Sequence, residues 1–422
     1  MNAMKIGWLL RWIALWATTA CSAGEAASGS GDSGGPSGKS GTGASTPVGG
    51  EAGDDAAGTV DSGIQETAVA VSVGVSSACA LTSSGGVECW GSQIGSPPPG
   101  TFSSAPAPVI GLESGVIAIS VGYSFACALT AGGGVQCWGD NSSGQLGNDS
   151  VLGSSAVPVP VTGLASGVTA ISVGDFSACA LTANGAVQCW GDNTSGQLGN
   201  DSVPGSSAVP VPVTGLASGV AAVSLGSFSA CALASGGVQC WGTNYPSGGL
   251  GNNSVGFDSP VPPVPVTGLA SGVTAIFVSG DSACALAASG GVQCWGNIAQ
   301  LGTFVSVPSI PVPVAGLSSG VTSVSVGGSF ACALTPSGVQ CWGDTPVLGS
   351  YEFPTYPPVP VAGLSSGVRA VSAGRTSACA LTASGGIECW GDNSNGQLGN
   401  GSTVGWSSVP VAVTGFADRH HP

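Results

Sequence analysis

Seven times between Cys79 and Trp390 the chain repeats one pattern: a run ending in CAL, a glycine-containing turn, and a run ending in VQCWG, VECWG or IECWG. The cysteines fall in pairs: Cys79 with Cys89, Cys127 with Cys137, Cys179 with Cys189, Cys231 with Cys240, Cys284 with Cys294, Cys332 with Cys341, and Cys379 with Cys389. Successive first cysteines lie 48, 52, 52, 53, 48 and 47 residues apart, the period of a four-stranded blade and not of a helical or solenoid repeat. A repeat that fills most of a 422-residue chain argues for one closed assembly of small units.

The segment from Gly163 to Pro212 shows how one unit is written. Three runs, Val168 to Val173, Ala178 to Thr182 and Ala186 to Trp190, have strand composition and are separated by short Gly, Asp, Ser or Asn turns. A fourth run, Val209 to Val213, follows a long loop. Pro210 and Pro212 are two apart, so the N–H groups they lack lie on one side of the strand, which only an edge strand tolerates. The proline strand is therefore expected outermost in each blade.

Register places a cystine inside each blade. Pairing Cys179 opposite Cys189 leaves a three-residue turn at Ala183, Asn184 and Gly185. Where the cysteines are nine apart, as in Cys231 with Cys240 and Cys332 with Cys341, the same pairing leaves two-residue turns at Ser235-Gly236 and Pro336-Ser337. Two thiols per repeat are too few for a metal centre, and the chain's histidines are His420 and His421 at its end, so no metal site and no cofactor are expected. Trp90, Trp138, Trp190, Trp241, Trp295, Trp342 and Trp390 occupy one equivalent position, which suits packing better than ligand binding.

Fifteen cysteines make seven pairs and one left over, and the leftover is Cys21. Before it runs MNAMKIGWLLRWIALWATTA. Lys5 and Arg11 accompany an apolar stretch, Trp12 to Ala20, too short to cross a bilayer, so residues 1–20 read as an export signal. Ala20-Cys21 resembles a bacterial lipoprotein processing site, in which the cysteine is acylated. Thr18 stands where that site usually has leucine. The alternative is ordinary signal cleavage near Ala23 or Ala27. The following stretch, 21–65, is rich in Gly and Ser with no apolar periodicity, and reads as a flexible lipidated tether. Its 44 residues from Ser22 through Gln65 would span about 35 to 40 Å as a Gly-rich coil. The propeller region is expected over 66–422.

The pattern SVG, CAL, VQCWGDN and SGQLGN resembles the regulator of chromosome condensation repeat, most fully over Trp138 to Asn148, Trp190 to Asn200 and Trp390 to Asn400. The resemblance implies an all-β fold, a seven-bladed β-propeller with one four-stranded blade per repeat, here with intrablade disulfides. Relatives often carry a histidine two residues before the first cysteine; Ser77, Phe125, Ser177, Ser229, Ser282, Phe330 and Ser377 stand there instead. In phase with the chain, the first inner strand begins near Val69, and Val409 to Val413 forms the outer edge of blade seven. No strand is shared to close the ring, which is expected to rest on Val69, Val71 and Val73 packing against blade seven.

The eukaryotic member of that family activates a nuclear GTPase and binds chromatin. The present chain has a formal charge of −15 and, beyond its first 20 residues, four scattered bases, Lys39, Arg369, Arg375 and Arg419, so a nucleic-acid partner is not expected. Asn141 to Asp175 and Asn193 to Ser227 are identical at 29 of 35 positions, which leaves little room for a catalytic constellation. The Asp-Asn pairs at 140–141, 192–193 and 392–393 read as turn chemistry and not as calcium loops. The chain therefore reads as a non-enzymatic, monomeric binding scaffold in a bacterial cell envelope, an outer-membrane lipoprotein facing periplasm or cell surface. Its partner would be a protein or an envelope polymer, bound through a loop face, and its membrane contact the lipid on Cys21. A secreted inhibitor-like protein binder and a propeller enzyme with an unrecognised site are the alternatives. The long loops before the proline strands carry Tyr245, Phe257, Phe304, Tyr351, Phe353, Tyr356 and Trp406, which either contact a partner or pack back on the adjacent blade.

Overall fold

Short runs of Val, Ala and Ser between glycine turns cannot enclose a core within one repeat, so each small sheet buries its faces against the next. The computed structural model describes residues 66–92, 102–151, 153–202, 205–244, 248–254, 261–296, 309–343 and 355–416. Over these residues 28 strands form seven four-stranded sheets, each antiparallel and each made of four consecutive strands. The blades span 68–108, 116–160, 168–212, 220–265, 273–313, 323–360 and 368–412. Blade 3 shows the order: Val168–Val173 innermost, then Ser177–Thr182, Val187–Gly191 and the proline strand Ser207–Pro212 at the edge.

All seven cystines lie within blades, one in each, and they are the pairs that register requires. Cys79 is bonded to Cys89, Cys127 to Cys137, Cys179 to Cys189 and Cys231 to Cys240. Cys284 is bonded to Cys294, Cys332 to Cys341 and Cys379 to Cys389. Their Cα–Cα separations are 4.0 to 4.1 Å. In blade 3 Cys179 sits directly opposite Cys189. In blade 4 Ala234 pairs with Gly237, which leaves the two-residue turn Ser235-Gly236 with φ of 51° and 78°. Those positive φ values match the twist of a tight hairpin. Thr335 pairs with Gly338 in blade 6, so the deletion there is again absorbed by the turn.

The core is seven seams between neighbouring blades. Each apolar cluster draws on two adjacent blades, as where Cys179, Leu181 and Val187 of blade 3 meet Val223, Leu225 and Trp241 of blade 4. The seam between blades 7 and 1 has the same composition, with Leu381, Ile387, Val413 and Phe416 against Val73, Ala78, Ala80 and Trp90. The innermost strand Ala68–Val73 pairs only with Ser77–Thr82, and the outermost Trp406–Ala412 only with Ile387–Asp392. The ring therefore closes in phase with the repeat, without a shared strand.

One detail of that closure differs from expectation. Ala68 pairs with Thr82 but Ala70 with Leu81, so a β-bulge at Val69 puts two residues opposite one. The bulge turns Val69 away from Val71 and Val73. Val71 and Val73 pack toward blade 7, whereas Val69 and Ala70 pack toward blade 2. Simple alternation fails there, and the same bulge recurs in blades 2, 3, 4, 5 and 7.

Serine hydroxyls bind the inner strands together. The N–H of Val121 donates to Ser72 Oγ at 3.1 Å, Val173 to Ser120 at 3.0 Å, Leu225 to Ser172 at 3.0 Å, Val278 to Ser224 at 2.9 Å and Ala373 to Ser325 at 2.9 Å. Val73 donates to Ser372 Oγ at 3.0 Å, so the closing seam carries the same bond. Innermost strands have one unpaired edge facing the axis, and the serine of SVG supplies acceptors that a strand neighbour would otherwise give. Phe277 takes the serine's place in blade 5.

Candidate functional site

Antiparallel alternation puts the connection between strands one and two on the same face as the long connection between strands three and four. Backbone bonds tie them together: Asp140 N–H donates to Ser124 O at 2.9 Å, Asp192 to Phe176 at 3.0 Å, Thr243 to Phe228 at 3.1 Å and Asp392 to Thr376 at 3.0 Å. One face of the propeller thus collects the segments in which the repeats differ. The opposite face carries the cystine-hairpin turns and the GLASG-type segments, which vary little.

On the differing face, the SGQLGN segments are scaffold. Asn141 Oδ1 accepts from the Leu146 N–H at 3.0 Å and its Nδ2 donates to Ser150 O at 2.9 Å. Asp140 Oδ2 accepts from Gln145 Nε2 at 2.9 Å. Asn193 with Asp192, and Asn393 with Asp392, repeat these contacts. The fixed segment then reaches the next blade, where its backbone carbonyl accepts from a buried indole: Trp190 Nε1 to Gln145 O at 3.0 Å, Trp241 to Gln197 O at 2.9 Å, Trp295 to Gly249 O at 2.9 Å and Trp90 to Gln397 O at 2.9 Å. These carboxylates and amides are occupied by turn bonds, and no group of three His, Cys, Asp or Glu capable of holding a metal occurs among the described residues.

The axial mouth lies inside that scaffold. A cavity of about 450 Å³ opens where the inner strands turn outward, lined by the ends of those strands and the residues after them. Glycine stands at the turn in every blade but the fifth, which has Ser279: a Cβ on Gly74 would stand 2.2 Å from Gly122 O, and one on Gly374 would stand 2.1 Å from Gly74 O. The next position, freed from the packing, carries Val75, Tyr123, Asp175, Ser227, Gly280, Gly328 and Arg375 around the ring. Tyr123 and Phe228 are 45% and 41% exposed, and the Tyr123 and Phe176 rings lie 5.5 Å apart between centroids. Together Tyr123, Phe176 and Phe228 form an aromatic arc over three successive blades. Ser227 Oγ donates to Asp175 Oδ2 at 2.5 Å. Asp281 is held above the usual aspartate range, first by burial and second by the charge of Asp175. Arg375, on blade 7, is exposed at the same mouth.

Two rings of the arc, Phe176 and Phe228, stand one residue earlier in their repeats than the seam phenylalanines. Blades 2 and 6 read Tyr-Ser-Phe and Gly-Ser-Phe, and their Phe125 and Phe330 are fully buried in the seams. Blades 3 and 4 read Asp-Phe-Ser and Ser-Phe-Ser, which moves the ring to the mouth and leaves serine in the seam. Ser177 Oγ and Ser229 Oγ there are buried with no hydrogen-bond partner among the described residues. Ser77 and Ser377 hold the same unpaired position in blades 1 and 7, where no aromatic stands at the mouth, and burying each such hydroxyl is unfavourable.

Of the loop aromatics expected to contact a partner, Tyr245, Phe257, Phe304, Tyr351 and Phe353 lie outside the described residues, as does Cys21. Tyr356 belongs to the outer strand Thr355–Pro360, its side chain outside the described set. Trp406 is half-buried and packs on the cluster between blades 6 and 7. The mouth residues escape a reading along the chain because they are single positions some fifty residues apart. Comparing the position after SVG from repeat to repeat would reveal them.

Sequence models of the "Regulator of chromosome condensation (RCC1) repeat" match residues 116–145, 168–197 and 368–397 in one form and 132–181, 184–233 and 384–421 in another. The chain carries RCC1 repeats. Among solved structures, Prp20p of Saccharomyces cerevisiae is similar over 83% of this chain and 88% of its own, at 19% identity and a TM-score of 0.67. That structure is described together with the protein's binding to Gsp1p and histones. Yeast RCC1 (Prp20) bound to Kap60 aligns over 74% of this chain and 78% of its own, at 20% identity and a TM-score of 0.65. Human WBSCR16 aligns over 76% of this chain and 88% of its own, at 23% identity and a TM-score of 0.65. At such identities the likeness establishes a common fold. No curated protein matches the RCC1-repeat chain by sequence.

Proposed function

We propose that this RCC1-repeat propeller is a binding scaffold whose recognition surface is the face bearing the axial mouth. The observation that carries the reading is the ring position after SVG. Repeats that are otherwise close copies hold Val75, Tyr123, Asp175, Ser227, Gly280, Gly328 and Arg375 there, and the fold brings these differences to one mouth. Exposed aromatics with polar neighbours are the composition of protein recognition surfaces. The interaction of Prp20p with Gsp1p, histones and Kap60 supports a propeller of this kind as an interaction platform, and a protein is the partner we favour over an envelope polymer.

We further propose that the propeller works outside the cytoplasm, tethered by a lipid on Cys21. Seven disulfides call for an oxidising compartment, and Cys21 is the cysteine that the pairing leaves over. Mass spectrometry of the mature protein should find an acylated Cys21 at its N-terminus; an unmodified terminus at Gly24 or Ser28 would refute the anchor. The scaffold reading is tested by affinity capture from extracts of the source cell. A captured protein should be lost when Phe176 and Phe228 are both replaced by Ala, and capture indifferent to both changes would remove the mouth from the binding surface.

A further inference from the structure

Resting on that reading of the face, we infer that the axial mouth receives a basic side chain, lysine or arginine, presented by a protruding loop of a partner protein. Three features of the cavity converge on this occupant. Aromatic rings at Tyr123, Phe176 and Phe228 wall one side, and ring faces attract guanidinium and ammonium groups. Asp175 and Asp281 line the same cavity, and among the described residues neither has an ion-pair partner. Asp175 is fixed by Ser227, and Asp281 is half-withdrawn from water and feels the Asp175 charge, so a cation in the cavity offsets both the lost hydration and the repulsion at Asp281.

Arg375 does not perform this service. It is exposed on blade 7 with its stem over blade 6, where a Cβ on Gly328 would lie 2.6 Å from its Cγ, and among the described residues it forms no ion pair with either acid. The mouth therefore keeps an acidic, aromatic side at blades 2 to 5 with no internal counter-ion. The charge of the whole propeller favours the same occupant at longer range. Between Glu66 and Phe416 the sequence holds 14 acids and two arginines, a net of −12. A field of that sign steers a basic protein surface toward the face and repels an acidic one.

The experiment uses the full disulfide-bonded chain and two capped residues as probes, Nα-acetyl-arginine methylamide and its neutral isostere Nα-acetyl-citrulline methylamide. Binding is read from the ring signals of selectively labelled tyrosine and phenylalanine. The arginine probe should shift Tyr123, Phe176 and Phe228 saturably and bind at least tenfold more tightly than the citrulline probe. Asp175→Asn with Asp281→Asn should abolish the preference while the variant still unfolds cooperatively, and Arg375→Gln should strengthen arginine binding by removing a like charge. A cyclic hairpin peptide with arginine at its tip should outbind the capped residue.

Equal binding of the two probes, no saturable shift, or a preference that survives both Asn substitutions overturns the inference. Agmatine binding more tightly than the hairpin peptide would make the cavity a free-amine site and overturn the protein-loop assignment. So would tighter binding of a chitin oligosaccharide, indifferent to the Asn substitutions. If the probes fail but the captured partner still depends on Phe176 and Phe228, the ligand class is wrong and the face remains the recognition surface.

Discussion

The indole N–H of Trp90 donates to the backbone carbonyl of Gln397 at 2.9 Å, a contact across 307 residues of sequence. It is the same bond that joins Trp190 to Gln145 within the ring at 3.0 Å. The first and last blades therefore meet through the parts used at interior seams: an indole from one blade, a fixed SGQLGN-type segment from the other, and the Val73 to Ser372 bond between inner strands. A ring closed by repeated parts needs no strand exchange, and its weakest seam is set by local packing rather than by where the chain begins.

The Trp90–Gln397 seam predicts a sharp glycine requirement. A Cβ on Gly399 would lie 2.8 Å from Trp90 Nε1 and 2.9 Å from its Cδ1, at a φ of 65°. Gly399→Ala should destabilise the propeller by about 2 to 4 kcal/mol, summing overpacking and left-handed backbone strain. Gly163, with a φ of 77° and nothing within 4 Å of its Cβ position, is the matched control. Gly163→Ala should cost about 1 kcal/mol from the backbone alone. Equal losses in denaturant unfolding would mean that the indole contact contributes nothing to closure.

Each cystine joins cysteines nine or ten residues apart across a hairpin. Removing one pair, as in Cys179→Ala with Cys189→Ala, should lower stability by about 2 to 3 kcal/mol on the chain-entropy estimate. Non-reducing peptide maps should link only partners at those two spacings, Cys284 to Cys294 and Cys332 to Cys341 among them. Linkages between different repeats would contradict the intrablade register.

The one-residue aromatic shift sets stability against exposure at the mouth. The seam between blades 4 and 5 offers Val278 and Trp295, the same types that surround Phe125 as Val173 and Trp190. Exchanging the order in blade 4, with Phe228→Ser and Ser229→Phe, should fill that seam and remove the unpartnered Ser229 hydroxyl. The exchanged protein should gain about 1 kcal/mol and lose partner capture. A lower melting temperature would show that the seam is already filled.

Much of this fold is legible in the sequence because its determinants are local and repeated. The spacing of Cys231 and Cys240 dictates a two-residue turn, and Pro210 with Pro212 dictates an edge. Val69 was not legible, because the bulge that turns it toward blade 2 depends on pairing with Thr82 and Leu81, which alternation alone does not reveal. The role of Trp90 in packing was evident, but its bond to Gln397 O was not, since a backbone acceptor leaves no mark on residue type. The mouth is hidden for a different reason. Asp175, Ser227 and Asp281 become neighbours only when the ring closes, and each looks like an ordinary turn residue in its own repeat.

Titration of Asp281 reports the electrostatics of the mouth. Its carboxyl is held above the usual aspartate range by burial and, secondarily, by Asp175; the other titratable groups lining the cavity are Tyr123 and Arg375. A raised folded-state pKa means that the folded chain binds the proton more tightly than the unfolded chain. The charged form thus destabilises the fold: stability falls as pH rises from the ordinary aspartate range through the raised value, then levels off. Asp281→Asn should accordingly melt above the parent at pH 7, and the difference should shrink and vanish as the pH drops below the ordinary aspartate range. Asp175→Asn should remove part of the same pH dependence by withdrawing the neighbouring charge. Thermal unfolding of the three proteins across this interval checks the sign, and an Asp281→Asn variant less stable than the parent at pH 7 would mean that the carboxylate has a favourable partner in the mouth.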